Sequence, residues 1–166
     1  LFALVFIMVY GIADGITAMH GRRLDLHFGW ELGIPFIPAM SLAYLSLNGM
    51  FLVTPFVFRD ADRFRALFRV LTIETVVAGF FFLALPVQNA YPHAAVDGPF
   101  AGAFRFADAV NLNYNELPSL HVAFACTLAL ALGAPLGLPG RMAMAAWAAL
   151  VVLSTLLIHQ HHLLSV

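Results

Sequence analysis

Between Leu32 and Phe58 the chain carries no charged residue. A stretch of that length and character points to a helix crossing a bilayer, because in hydrocarbon every backbone N–H and C=O must bond inside its own segment. The rest of the chain agrees. Its residues are 62% hydrophobic and 10% charged, with mean hydropathy +0.90, against an apolar share of about 45–50% in ordinary soluble domains. The 166 residues give room for about five or six spans of roughly 20 residues with short connections. The expected fold class is therefore all-α, a polytopic membrane helical bundle forming one membrane-embedded domain over 1–166.

Charge narrows the function classes. The formal net charge is −1, and the eight basic residues are arginines scattered along the chain, so the basic surface that nucleic acid requires is missing. The single cysteine, Cys126, lies in an apolar run and has no partner for a disulfide within the chain. The apolar residues Leu1–Ala13 read as the remaining half of a first span, and the sequence after His159 as the mouth of a sixth, so both outer spans are expected to be incomplete.

Between these ends the pattern predicts a polar segment over Asp14–Glu31 and a second span over Leu32–Phe58, entered irregularly at Pro35 and Pro38. A short charged connection follows over Arg59–Arg69. Span three is expected over Val70–Val87, with Glu74 one turn inside it and reaching the headgroups or Arg69. Gln88–Glu116 reads as a long polar connection, which in a compact domain tends to be functional. Span four is expected to open at Pro118 and to fade into the helix breakers of Gly133–Gly140, and span five to run from Arg141 to Ile158. By the positive-inside rule Arg59, Arg63, Arg65, Arg69 and Arg141 face the cytoplasm, with Arg22, Arg23 and Arg105 opposite. Counting the same crossings puts all seven histidines near the non-cytoplasmic face.

Two of those histidines stand in suggestive surroundings. Asn113-Tyr114-Asn115-Glu116-Leu117-Pro118-Ser119-Leu120-His121 runs from a polar loop into an apolar helix, and proline suits a first helical position. Unpaired N–H groups at an opening helix favour an anion such as phosphate. The second stretch, Ser154 to Ser165, holds His159, His161 and His162. Two imidazoles converging on a phosphate can divide phosphoryl transfer between them, one attacking phosphorus while the other hands a proton to the departing alkoxide. The bland readings are an interfacial histidine at 121, a plain helix cap at Ser119 and membrane anchors at Arg22 and Arg23. A metal site is not expected. On a helix only His159 and His162 would share a face, with no carboxylate or cysteine beside them in sequence.

Pro118-Ser119-Leu120-His121 resembles the Pro-Ser-x-His signature of the type 2 phosphatidic acid phosphatase superfamily, and Ser154 with His161 matches the serine-to-histidine spacing of its last signature. The wider Tyr-Asn-x-x-Pro-Ser-Leu-His and His-Gln-His-His look closest to the branch holding the inositol phosphorylceramide synthases. The resemblance covers nearly all of the chain. It implies a six-span core, a lipid phosphate as substrate, His161 as the nucleophile of a phosphohistidine intermediate, His121 as general acid, and no cofactor. Ser119, Arg105 and Asn115 are the expected substrate contacts. With no lysine in the chain, Gln88, Asn89, His93 and Arg105 replace the family's first signature only by location. Thr155 stands where the family has arginine. Ser165 stands where it has the aspartate that orients the nucleophile. By analogy with the serine-protease triad, losing that carboxylate costs on the order of 10⁴ in turnover, so the alternative reading is a non-catalytic relative that binds lipid or a partner.

Overall fold

The computed structural model describes residues 1–166 apart from Arg22, His93 and Asn113. The anchor role expected of Arg22, the substitute role of His93 and the first residue of the Asn113–His121 stretch therefore lie outside the described residues. Six α-helices follow one another: α1 (Phe2–Ala18), α2 (Ser41–Val57), α3 (Ala61–Ala84), α4 (Ala101–Val110), α5 (Leu120–Gly133) and α6 (Leu138–Leu157). Short 3-10 turns occupy Gly29–Gly33, Pro38–Met40 and Leu163–Ser165. Among the described residues the only extended pairing is a single bridge between Leu24 and Val87.

Among the described residues, three helical segments are long and apolar enough to cross a bilayer: Pro38–Val57, Ala61–Ala84 and Leu138–Leu157. The helices α1 and α5 are apolar but shorter, 17 and 14 residues. At about 1.5 Å per residue, α5 covers less than the roughly 30 Å of hydrocarbon, so the crossing-length helix expected after Pro118 is not what forms. Large apolar side chains face outward, with Phe56 86%, Leu130 76% and Leu52 74% exposed, as suits helices solvated by lipid rather than water.

Four boundaries differ from the sequence pattern, each for a local reason. The Arg59–Arg69 connection is largely helical, because the Asp60 carboxylate caps α3 by accepting from the N–H groups of Asp62 and Arg63 and Arg65 pairs with Asp62 one turn away. Within Gln88–Glu116 lies α4, whose Ala101, Phe104 and Ala107 are buried at three-residue spacing; so short an apolar stripe hides in a polar stretch. The opening of α5 is Leu120 rather than Pro118, because Ser119 is extended and its hydroxyl accepts from Val122 N–H at 3.4 Å. Finally, α6 begins at Leu138 with Pro139 in its first turn, where a missing N–H costs nothing, so the run of breakers starts the helix.

Packing follows the small residues. Helix α1 lies on α3 and α5 on α6; a Cβ at Gly79 would overlap Val9 Cγ1, so glycine is what lets α1 and α3 approach. Leu47, Leu71, Phe82, Phe124, Leu128 and Val151 fill the centre, and Trp147 Nε1 donates to Ser46 Oγ at 3.0 Å, tying α6 to α2. Glu74 turns into the bundle instead of toward headgroups or Arg69: Thr127 Oγ1 on α5 donates to its carboxylate. One end of the bundle gathers the polar loops. There Ile37 N–H donates to Leu157 O at 2.7 Å, Ser119 N–H to Ser165 O at 2.8 Å and Thr17 Oγ1 to Phe82 O at 3.3 Å, which brings together the end of α1, the entry to α2, the end of α3, the start of α5 and the end of α6.

Candidate active site

The site begins where α6 stops. His159 adopts φ 59°, the left-handed conformation that commonly ends a helix but is unusual for a residue with a Cβ. The chain then folds back, and Thr155 O accepts from the N–H groups of both Gln160 and His161. His161 and His162 consequently lie on a turn, not on the helix that a sixth span would require. A helical turn therefore does not carry Ser165 beside His161. Ser165 reaches the same neighbourhood by another route, through the 3-10 turn, and its Oγ lies 3.5 Å from His161 Nδ1 while donating to His162 O at 2.8 Å.

His161 is 3% exposed. Its Nδ1–H donates to the backbone oxygen of Glu116 at 3.2 Å, and the Glu116 carboxylate oxygen Oε2 lies 3.5 Å from the same nitrogen. An occupied Nδ1 leaves Nε2 as the nitrogen with a free lone pair, the arrangement by which a second group fixes a histidine tautomer. Glu116 is itself buried, and Oε2 has no hydrogen bond among the described residues. The carboxylate that the sequence lacks at position 165 is therefore present beside His161, supplied from the loop ahead of α5.

His121, in the first turn of α5, and His161 line one cavity of about 350 Å³. Its wall is mostly apolar, from Phe2, Phe6, Leu47, Phe51 and Phe124, and Asn115 joins it. The His121 ring stacks on Tyr44 with centroids 3.8 Å apart and planes 14° from parallel, and its Nε2 has no hydrogen bond among the described residues. Asn115 Nδ2 donates to Tyr10 O at 2.8 Å while its Oδ1 is buried without a partner among them. Polar atoms left unpaired in an interior cost about 1–3 kcal/mol each, and such exceptions call for an explanation such as a polar ligand.

A second cavity, about 310 Å³, lies on the loop side and is polar, lined by Arg23, Asn89, Asp108, Asn111, Glu116 and Gln160 among others. Glu116 lines it while bonding to His161 in the apolar cavity, and Tyr10 Oη of the apolar wall donates to Asn111 Oδ1 of the polar one at 3.2 Å. The two spaces thus share a thin polar partition. Arg23 carries the positive charge here; its guanidinium donates to Thr17 O and Ala18 O and lies 4.1 Å from the Tyr114 ring centroid.

Of the residues expected from the sequence, the structure brings together His121, His161 and Asn115 in one cavity, with Ser119 and Ser165 joined behind them by a backbone bond. Arg105 is not brought in. It is exposed on α4 and lines neither cavity, because the buried stripe of α4 turns Ala101, Phe104 and Ala107 inward and leaves position 105 outside. Arg23, read from sequence as an anchor, lines the polar cavity instead. Thr155 is buried at 0% exposure and donates to Val152 O, so it serves the helix end.

His162 and His159 hold structure. His162 Nδ1–H donates to Glu31 Oε2 at 3.1 Å and its Nε2 accepts from Ala90 N–H at 2.9 Å, which specifies the neutral ring. Burial holds its pKa below the ordinary value, opposed by the Glu31 carboxylate. Glu31 also accepts from Phe28 N–H and Leu163 N–H, both at 2.9 Å. Burial pushes this carboxyl up, but those donors and the His162 ring outweigh it and hold it below the usual range. Tyr91 stacks on His159 at 4.0 Å and on His162 at 4.4 Å, and burial beside the Glu31 charge pushes its phenol up to about 12. Among the described residues no group of three or more His, Cys, Asp or Glu gathers as metal ligands would.

Sequence reading missed Glu31, Glu116 and Tyr44. Glu116 stood two residues before the proline of the motif, yet nothing in a one-dimensional pattern says which loop carboxylate meets an imidazole 45 positions on. No family model, curated protein or solved structure matches the chain.

Proposed function

We propose that the chain is an integral membrane phosphatase or phosphotransferase that acts on a lipid phosphate through a phosphohistidine on His161. The observation that carries the reading is the shared cavity of His121 and His161, with a buried carboxylate behind the second. Neutral His161 attacks phosphorus through Nε2, and the phosphorus–oxygen bond to the lipid breaks. The departing alkoxide takes its proton from His121, whose Nε2 lacks a partner among the described residues until substrate oxygen supplies one. In the second step water, or the hydroxyl of a second lipid, attacks phosphorus, a new phosphorus–oxygen bond forms and the phosphorus–nitrogen bond breaks. Its proton returns to His121 and His161 is released unchanged.

Glu116 takes the part that the resemblance gave to an aspartate at position 165: its backbone oxygen orients Nδ1–H, and its carboxylate, 3.5 Å away, balances the positive charge that develops on the ring. The apolar cavity suits an acyl chain and the polar one a headgroup, with the reacting phosphate at the partition. Ser119 closes the site from behind as the α5 cap, and Arg23 replaces Arg105 as the headgroup cation. By the positive-inside rule this end faces away from the cytoplasm, in a multi-pass integral membrane protein.

The test is turnover of a long-chain lipid phosphate by the protein in liposomes, with His161→Ala and His121→Ala as controls. Release of inorganic phosphate, or transfer to an added lipid alcohol, abolished by both substitutions is the expected result. Lipid binding without turnover in every form would favour the non-catalytic reading.

A further inference from the structure

At the end of the bundle opposite the histidines, the α2–α3 turn and the α5–α6 turn border an open cavity of about 870 Å³. Its wall is apolar, including Val57, Val70, Leu130 and Pro135, and Arg59 and Arg63 stand with Asp60 on its rim. The carboxylates nearby are already engaged. Asp60 caps α3 and lies 3.6 Å from Arg63 Nε, and Asp62 pairs with Arg65 at 2.9 Å. Two arginines against one aspartate leave the rim positive, and Arg59 forms no ion pair among the described residues.

We infer that this cavity holds an anionic membrane phospholipid, its phosphate on Arg59 and Arg63 and its acyl chains along the apolar wall. Charge complementarity selects this occupant. A guanidinium gives a phosphate two parallel N–H donors, and basic pockets between membrane helices are a known setting for anionic headgroups. A soluble phosphate would leave the apolar wall uncovered, and a zwitterionic lipid would bring its own cation to a rim already positive. The inference stands apart from the chemistry at the histidine end and does not depend on it.

The experiment is native mass spectrometry of the full chain equilibrated with equimolar phosphatidylglycerol and phosphatidylcholine of identical chains. The protein should retain phosphatidylglycerol about tenfold over phosphatidylcholine. Arg59→Gln/Arg63→Gln should bring that ratio close to one, and Arg59→Lys/Arg63→Lys should keep most of it. Arg65→Gln, which removes a paired arginine outside the cavity, should leave it unchanged. Equal retention of the two lipids, a ratio lost as fully in Arg65→Gln, or displacement of the bound lipid by free glycerol phosphate would overturn the assignment.

Discussion

His161 and His162 are neighbours in the chain, and each faces a buried glutamate. The pairs differ in how completely they are satisfied. His162 uses both ring nitrogens, on Glu31 and Ala90, and Glu31 gathers two backbone donors besides the ring. Its partnership joins three remote stretches of chain and leaves nothing for a ligand. His161 uses one nitrogen, on Glu116, and presents its ring to a cavity, while Glu116 Oε2 has no hydrogen bond among the described residues. A saturated pair is a fastener, whereas a half-saturated pair beside a cavity retains capacity for chemistry. In the sequence, only the seven-residue spacing from Ser154 set His161 apart from His162.

That contrast breaks most easily at Glu116. Glu116→Gln should lower turnover by about 10³-fold with KM little changed, since it removes the negative charge beside the ring while keeping the backbone bond to Nδ1–H, and loss of the corresponding carboxylate costs about 10⁴ in a serine-protease triad. Ser165→Asp in the same background should recover part of the rate, because the Ser165 side chain already lies 3.5 Å from His161 Nδ1. A Glu116→Gln enzyme with normal turnover would remove the distinction between the pairs. Glu31→Gln should act on stability instead. Glu31 is a buried carboxylate accepting from the His162 ring and from two backbone N–H groups, hydrogen bonds worth about 1.5–3 kcal/mol each when the acceptor is charged, and the expected outcome is a clear drop in thermal midpoint with faster amide exchange across 159–165.

A smaller effect is expected at Tyr44. Its ring faces His121, so Tyr44→Phe should be almost silent and Tyr44→Leu should cost about tenfold in turnover, at the scale of one aromatic contact of roughly 0.5–1.5 kcal/mol. Equal losses in both would point to the hydroxyl instead. Acid should loosen the fastener gradually. The pKa of His162 and that of Glu31 are both depressed in the folded protein, so their contribution is fully present above the unfolded values. It declines as pH falls below about 6.5 for the imidazole, then further through the carboxylate range as Glu31 protonates. Hydrogen exchange at 159–165 should therefore be faster at pH 5.5 than at pH 7.5 after correction for intrinsic rates, and slower corrected exchange in acid would contradict the assignment.

How much of this was legible beforehand depends on the range of the interaction. The all-helical class and the apolar helices follow from hydropathy, and two short motifs single out His121 and His161, all properties of local sequence. Boundaries failed where a cap decided them, as at Asp60 and Ser119, or where a proline served as a helix start, as at Pro139. The carboxylates failed for a different reason. Glu31 meets His162 across 131 positions, and its sequence neighbourhood of glycine, tryptophan and leucine shows no sign of that partner. Of the loop arginines, Arg105 was the expected substrate contact and Arg23 an expected membrane anchor. Only the rotation of α4, set by its short buried stripe, sends one outward, while the end of α1 holds the other against Tyr114.

The central claim is that His161 carries phosphate during turnover. The direct measurement is a rapid quench of the reconstituted protein with a lipid bearing labelled phosphate, followed by peptide mapping. The account predicts label on His161, stable to alkali, released by acid, absent from His161→Ala and accumulating in His121→Ala only to the extent that cleavage still occurs. Rapid hydrolysis with no label on His161 at any quench time, or label on His159 or His162 in its place, would contradict it.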